Sequence, residues 1–167
     1  MKWLIISLVV MSLIGSVMWV MPTPRQKFQA QLRLRSRKLG FQVQLAQLEL
    51  PRARGETEGE TIGVPVYRLV RQNLSRQERD HWTEWKVCRV ETLANAGLPH
   101  GWSWIKGEAM LSEPALQVLN STLEQLPADV LALESTPIHL NVFWQEGEDQ
   151  GLEQIHAAIE PLVEAKI

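Results

Sequence analysis

Hydrophobic and polar positions divide the chain into an unbroken apolar run, a basic amphipathic stretch and a longer region of mixed periodicity. From Trp3 to Met21 the run holds 19 residues and no charge. As a helix it measures about 28 Å, against about 30 Å for a hydrocarbon core, which predicts a transmembrane anchor over 1–22. Trp3 and Trp19 stand near its ends, where indole rings prefer the headgroup level. Bulky Val17 to Pro22 occupies the place where a signal peptidase requires small side chains, so an uncleaved segment is expected. Ser12, Gly15 and Ser16 form a small-residue face that suits helix association.

Thr23, Pro24 and Gln26 then fit an N-cap, a first helical position and the third residue of a capping box, while Gly40 fits a C-terminal cap. The spacing predicts a helix over 23–40, with Phe28, Leu32 and Leu39 on one side. Arg25, Lys27, Arg33, Arg35, Arg37 and Lys38 take most of the remainder. Such a helix suits an anionic membrane surface, or else covers the edge of the following domain. With these six cations after the apolar run and only Lys2 before it, the charge rule predicts an N-terminus outside and a cytoplasmic C-terminal domain.

Over 41–167 the pattern predicts an α+β domain. Phe41, Val43 and Leu45 alternate as in a half-buried strand. Leu48 and Leu50 resume out of phase, which suggests a bulge or bend after Ala46-Gln47. Residues 51–63 read as a polar loop, 64–70 as a strand, and 75–80 as a hydrophilic connection of one helical turn. Strands are expected over 82–90 and 101–106. A helix opens at Ser112-Glu113-Pro114, carries Leu116, Leu119, Leu123 and Leu126, and ends at Pro127. Val130 to Leu133 fits strand or helical turn. Ile138 to Trp144 alternates as a strand, and a last helix carries Leu152, Ile155, Ile159 and Leu162, with a kink or early end at Pro161. The sum is an antiparallel sheet of five to six strands packed with two C-terminal helices, behind a transmembrane and a basic juxtamembrane helix.

Charge sharpens this division. Residues 1–38 carry seven basic and no acidic side chains, while 39–167 carry ten basic and nineteen acidic ones. An acidic domain excludes nucleic acid as a partner, because phosphate neutralisation needs a basic face. The single Cys88 cannot form an intrachain disulfide, in keeping with a reducing compartment.

Candidate chemistry is sparse. His81, His100, His139 and His156 lack metal-ligand spacing, so neither metal nor cofactor is expected. His139 should be solvated, and His156 should sit at a core boundary. Asp80-His81-x-x-Glu84 near Cys88 resembles a nucleophile with its base, yet a regular strand puts His81 and Cys88 on opposite faces, and no catalytic residue is assigned. The tryptophans are more unusual. Trp82, Trp85 and Trp102, with Arg71 and Arg89, have the composition of a partner-binding surface, since Trp and Arg dominate interface energetics. Core packing is the competing use.

The span followed by Met21-Pro-Thr-Pro-Arg-Gln-Lys27 resembles the start of YajC, the accessory subunit of the bacterial Sec translocon. Pro24-Arg25, Leu32-Arg-Leu-Arg35 and Leu39-Gly-Phe-Gln-Val-Gln-Leu45 resemble uncharacterised anchored proteins of Gammaproteobacteria. These resemblances imply a bacterial inner membrane and no mechanism. The function expected is a membrane-anchored, non-enzymatic interaction or accessory protein docking on an inner-membrane protein complex. A domain binding a small ligand or lipid is the alternative, and a Cys/His hydrolase a third.

Overall fold

The computed structural model describes residues 2–20, 23–52, 55, 58–147 and 150–167, with 17–20 described by their backbone only. Two compact units divide the chain, 1–31 and 32–167. The first holds α1 (Lys2–Val20) and the opening turns of α2 (Pro24–Lys38). The expected capping box is present: Thr23 N–H donates to Gln26 Oε1 at 2.9 Å, and Gln26 N–H to Thr23 Oγ1 at 3.2 Å.

The transmembrane anchor, and with it the single-pass inner-membrane topology, requires correction. Among the described residues no helix is long and apolar enough to cross a membrane. Trp3 is 82 % exposed, and Ser12, Gly15 and Ser16 are exposed. The Trp19 side chain lies outside the described residues.

The second unit is α+β. Six antiparallel strands, β1 (Phe41–Leu50), β2 (Glu60–Val70), β3 (Trp85–Cys88), β4 (Ser103–Lys106), β5 (Val130–Ser135) and β6 (His139–Trp144), lie in the order β1-β2-β6-β5-β3-β4. The helices are the last turns of α2, α3 (Arg76–Asp80), α4 (Glu113–Gln125) and α5 (Gly151–Glu164). Ser75 caps α3 in a reciprocal box with Glu78. Pro161 falls in the last turn of α5, so the helix runs only three residues beyond it. Gly40 closes α2 at φ +85°, a conformation a side chain rarely adopts.

Register explains why both faces of the sheet carry apolar residues. One face presents Phe41, Tyr67, Val142, Leu133 and Val87 beneath the helices. Leu119 and Leu123 of α4 and Leu152, Ile155, Ile159 and Leu162 of α5 are all 0–2 % exposed there. Phe41 meets Tyr67 and His156 edge-on at 5.9 and 5.8 Å, and Tyr67 meets Trp144 at 5.2 Å. On the other face Leu48, Val64, Val66, Phe143, Ala132 and Cys88 form a second cluster running from β1 to β3. Beside it a polar row crosses every strand: Gln42, Arg68, Asn141, Glu134, Lys86 and Lys106. Asn141 donates to Glu134 at 2.7 Å, and Lys86 lies 3.4 Å from the same carboxylate. Burial of apolar area on both faces supplies the main driving force.

The bulge expected after Ala46-Gln47 is not there, because β1 pairs with β2 without a break from Phe41↔Leu69 to Leu50↔Glu60. The phase slip marks instead a change in which face is buried: odd positions near Phe41 point to the helices, even positions near Leu48 to the second cluster.

Candidate functional site

A cleft of about 460 Å³ opens between α3, the segment before α4 and the C-terminal residues. Leu74, Trp82, Met110, Leu111, Ala115 and Ile167 give it apolar walls, and Glu78, His81, Thr83, Ser112 and Lys166 line the remainder. Trp82 sits in the connection between α3 and β3, where no strand geometry dictates its direction. It is half-buried, and its Nε1–H donates to Ser135 Oγ at 3.2 Å. Behind it the Arg71 guanidinium stacks at 4.4 Å from the ring centroid and donates to the same Ser135 Oγ at 3.0 Å and to the Ile167 carbonyl.

Arg71 is only 2 % exposed, and burial pulls its guanidinium down to about 10. Its Nε and Nη1 have no hydrogen-bond partner among the described residues. A buried cation held mainly by a ring face, a hydroxyl and a carbonyl fixes the indole as a rigid wall.

The rim is internally neutralised. Lys166 Nζ lies 2.6 Å from Glu78 Oε1, and Ser75 N–H donates to Glu78 Oε2 at 2.7 Å. The Lys166 bond first, then those from Ser75, hold the Glu78 carboxyl well below its usual range, at about 2. A carboxylate so acidic is a poor general base near neutral pH. His81 Nδ1–H donates to the Gln77 carbonyl at 3.0 Å, which leaves Nε2 as its free nitrogen.

Cys88 stands apart from this cleft, 0 % exposed in the second cluster with its thiol near the Ser103 carbonyl at 3.7 Å. Burial pushes it up to about 11, away from the thiolate a nucleophile requires. His81, Cys88 and a carboxylate therefore do not converge. No group of three or more His, Cys, Asp or Glu side chains among the described residues is arranged to hold a metal ion. His139 is half-buried rather than solvated, its imidazole pulled down by burial and by nearby Arg68.

The other residues singled out from the sequence are dispersed. Trp85 is 0 % and Trp102 3 % exposed. Arg89 stacks on Trp102 at 4.7 Å and donates to the carbonyls of Val130 and Pro127 at 3.0 and 2.9 Å, bracing the turn between α4 and β5. The five residues thus do not share one surface; Trp82 with Arg71 behind it forms one site, and Arg89 with Trp102 a separate brace. Of the basic positions, Arg25, Lys27, Arg35, Arg37 and Lys38 are exposed. Arg33 instead grips Glu146 through Nε and Nη2, at 2.9 and 3.0 Å, and Tyr67 Oη donates to the same carboxylate at 2.8 Å.

Sequence reasoning missed Glu146, Tyr67 and most of the cleft. Ser75-x-x-Glu78 was a legible capping signature that places α3 and one rim carboxylate. Leu74, Met110, Leu111 and Ile167 carry no local signal, since isolated apolar residues outside periodic segments point nowhere.

No known protein family matches the chain, and neither a curated protein nor a solved structure is similar to it.

Proposed function

We propose that this chain is a non-enzymatic interaction module, and that its partner docks an apolar side chain into the cleft walled by Trp82. One observation carries the reading: a half-exposed indole, locked by Ser135 and backed by buried Arg71, faces an apolar hollow whose rim charges already satisfy each other. A rigid aromatic wall loses little entropy on binding, and Trp supported by Arg is the composition of an interface anchor. The nearby chemistry argues the same way, because Glu78 on the rim is tied to Lys166, and Cys88, away from the cleft, is sealed in the core. The volume also falls within the range of small-molecule sites, which supports a second reading as a site for a small apolar ligand.

Photo-crosslinking in the native host separates the two. A benzophenone side chain at Met110, on the cleft lip, should give a discrete protein adduct that disappears in the Trp82→Ala background. The same probe at Leu93, 92 % exposed and not among the cleft residues, should give none. No adduct at Met110, together with a small molecule retained in native mass spectrometry and lost on Trp82→Ala, would replace the first reading by the second.

A further inference from the structure

The two edges of the sheet are built differently. β4 is four residues long, ends in Lys106, and borders a register shift between Lys86 and Val87. Short length, a terminal charge and an irregular ladder are the ordinary means of keeping an edge from recruiting another strand. β1 is neither short nor irregular. It runs ten residues without a bulge, contains no Lys, Arg or Pro, and carries its single charge, Glu49, next to its end. Leu45, at its middle, is 77 % exposed. A regular ten-residue edge whose single charge lies next to its end, with an exposed leucine at its centre, is a template for strand addition.

We propose that β1 pairs antiparallel with β1 of a second copy of this chain, about a two-fold axis passing near Leu45, so that two sheets become one. Several features favour a second copy as the occupant. A two-fold axis perpendicular to the sheet keeps each side chain on its own face, and it sets Leu45 against Leu45, Val43 against Gln47 and Gln44 against Ala46. None of these strand pairs opposes like charges. Glu49, the one charged residue, falls opposite Phe41. Beside Leu45 lies a concavity of about 140 Å³, lined by Arg33, Val43, Gln44, Leu45 and Pro65, on which an incoming leucine can rest. Isologous two-fold association is also the commonest symmetry for a chain binding itself.

Positional disulfide formation in the full-length chain tests this directly. Cys88 is buried and stays in place. Leu45→Cys should crosslink rapidly under mild oxidation, because directly opposed residues bring their Cα atoms within about 4.5–5.5 Å. Gln42→Cys should not, since it would lie roughly 20 Å from its counterpart. Leu45→Lys should raise the dimer dissociation constant at least roughly tenfold in analytical ultracentrifugation by opposing like charges. It should leave the melting temperature of the monomer unchanged, because Leu45 contributes little to its own core. Crosslinking equal at 42 and 45 would mean association through another element, such as α1, and would overturn the proposal. So would an absence of crosslinking at 45, or a dimer indifferent to Leu45→Lys.

Discussion

Replacing Arg33 by Met tests whether the end of α2 is fastened to the sheet. Glu146 is 2 % exposed overall with its side chain sealed, and it adopts φ +56°, an unusual conformation for a residue with a side chain. Its carboxylate depends on two bonds from Arg33 and one from Tyr67. Removing one partner of a fully buried pair costs about 3–5 kcal/mol, because the remaining charge stays desolvated. The Arg33 side chain is 45 % exposed, so water screens part of that interaction, and Tyr67 retains its bond. The expected loss is about 2–3 kcal/mol, a fall in Tm of roughly 6–12 °C for a unit of this size. Urea denaturation of Arg33→Met, Glu146→Gln and the double variant should reveal a coupling of more than about 1 kcal/mol, with the double variant more stable than Arg33→Met. A loss under about 0.5 kcal/mol would place the pair with ordinary surface ion pairs and refute the fastening.

Other consequences follow from single sites. Deleting residues 1–22 should leave 32–167 with a single cooperative thermal transition, read by circular dichroism, since that unit contains the sheet and its helices. A broad, non-cooperative melt would contradict the division. Gly107→Ala should cost about 2–4 kcal/mol in chemical denaturation, because at φ +86° a new Cβ would lie 2.8 Å from Trp85 Cβ and 3.0 Å from the Glu84 carbonyl. A disulfide-exchange reagent should label Cys88 at pH 8 only as fast as the protein unfolds; immediate labelling would show the second cluster to be open. Glu78, with a folded value near 2 below its unfolded range near 4.5, should stabilise the protein above pH 4.5 and lose that effect as pH falls toward 2. Glu78→Gln should flatten the acid limb of stability against pH in this window, and an unchanged limb would remove the role assigned to the Lys166 bond.

Much of the architecture was written in local periodicity, and the site was not. Helices α2, α4 and α5 announced themselves through caps and stripes, and β6 through alternation. The pattern predicts a strand over 82–90 because Trp82 and Trp85 are both large and apolar. In fact β3 begins at Trp85, and Trp82 belongs to the connection before it. That difference is what frees Trp82 to wall a cleft while Trp85 enters the core. Trp102 and Arg89 have the composition of a binding pair, yet their stacking braces the turn between α4 and β5 instead. The length of the apolar run at the N-terminus predicts a span, yet among the described residues no helix is long and apolar enough to cross a membrane. The cleft joins Leu74, Trp82, Met110 and Ile167, positions separated by long stretches of chain, so only the folded topology brings them together.

The reading of this chain as a docking module rests on occupation of the Trp82 cleft. Amide hydrogen–deuterium exchange of the full-length chain, alone and with the partner identified by crosslinking at Met110, measures that occupation most directly. Protection should rise in 74–83, 108–115 and 164–167, and Trp82→Ala should abolish it. Protection confined to other segments, or equal protection in Trp82→Ala, would contradict the account.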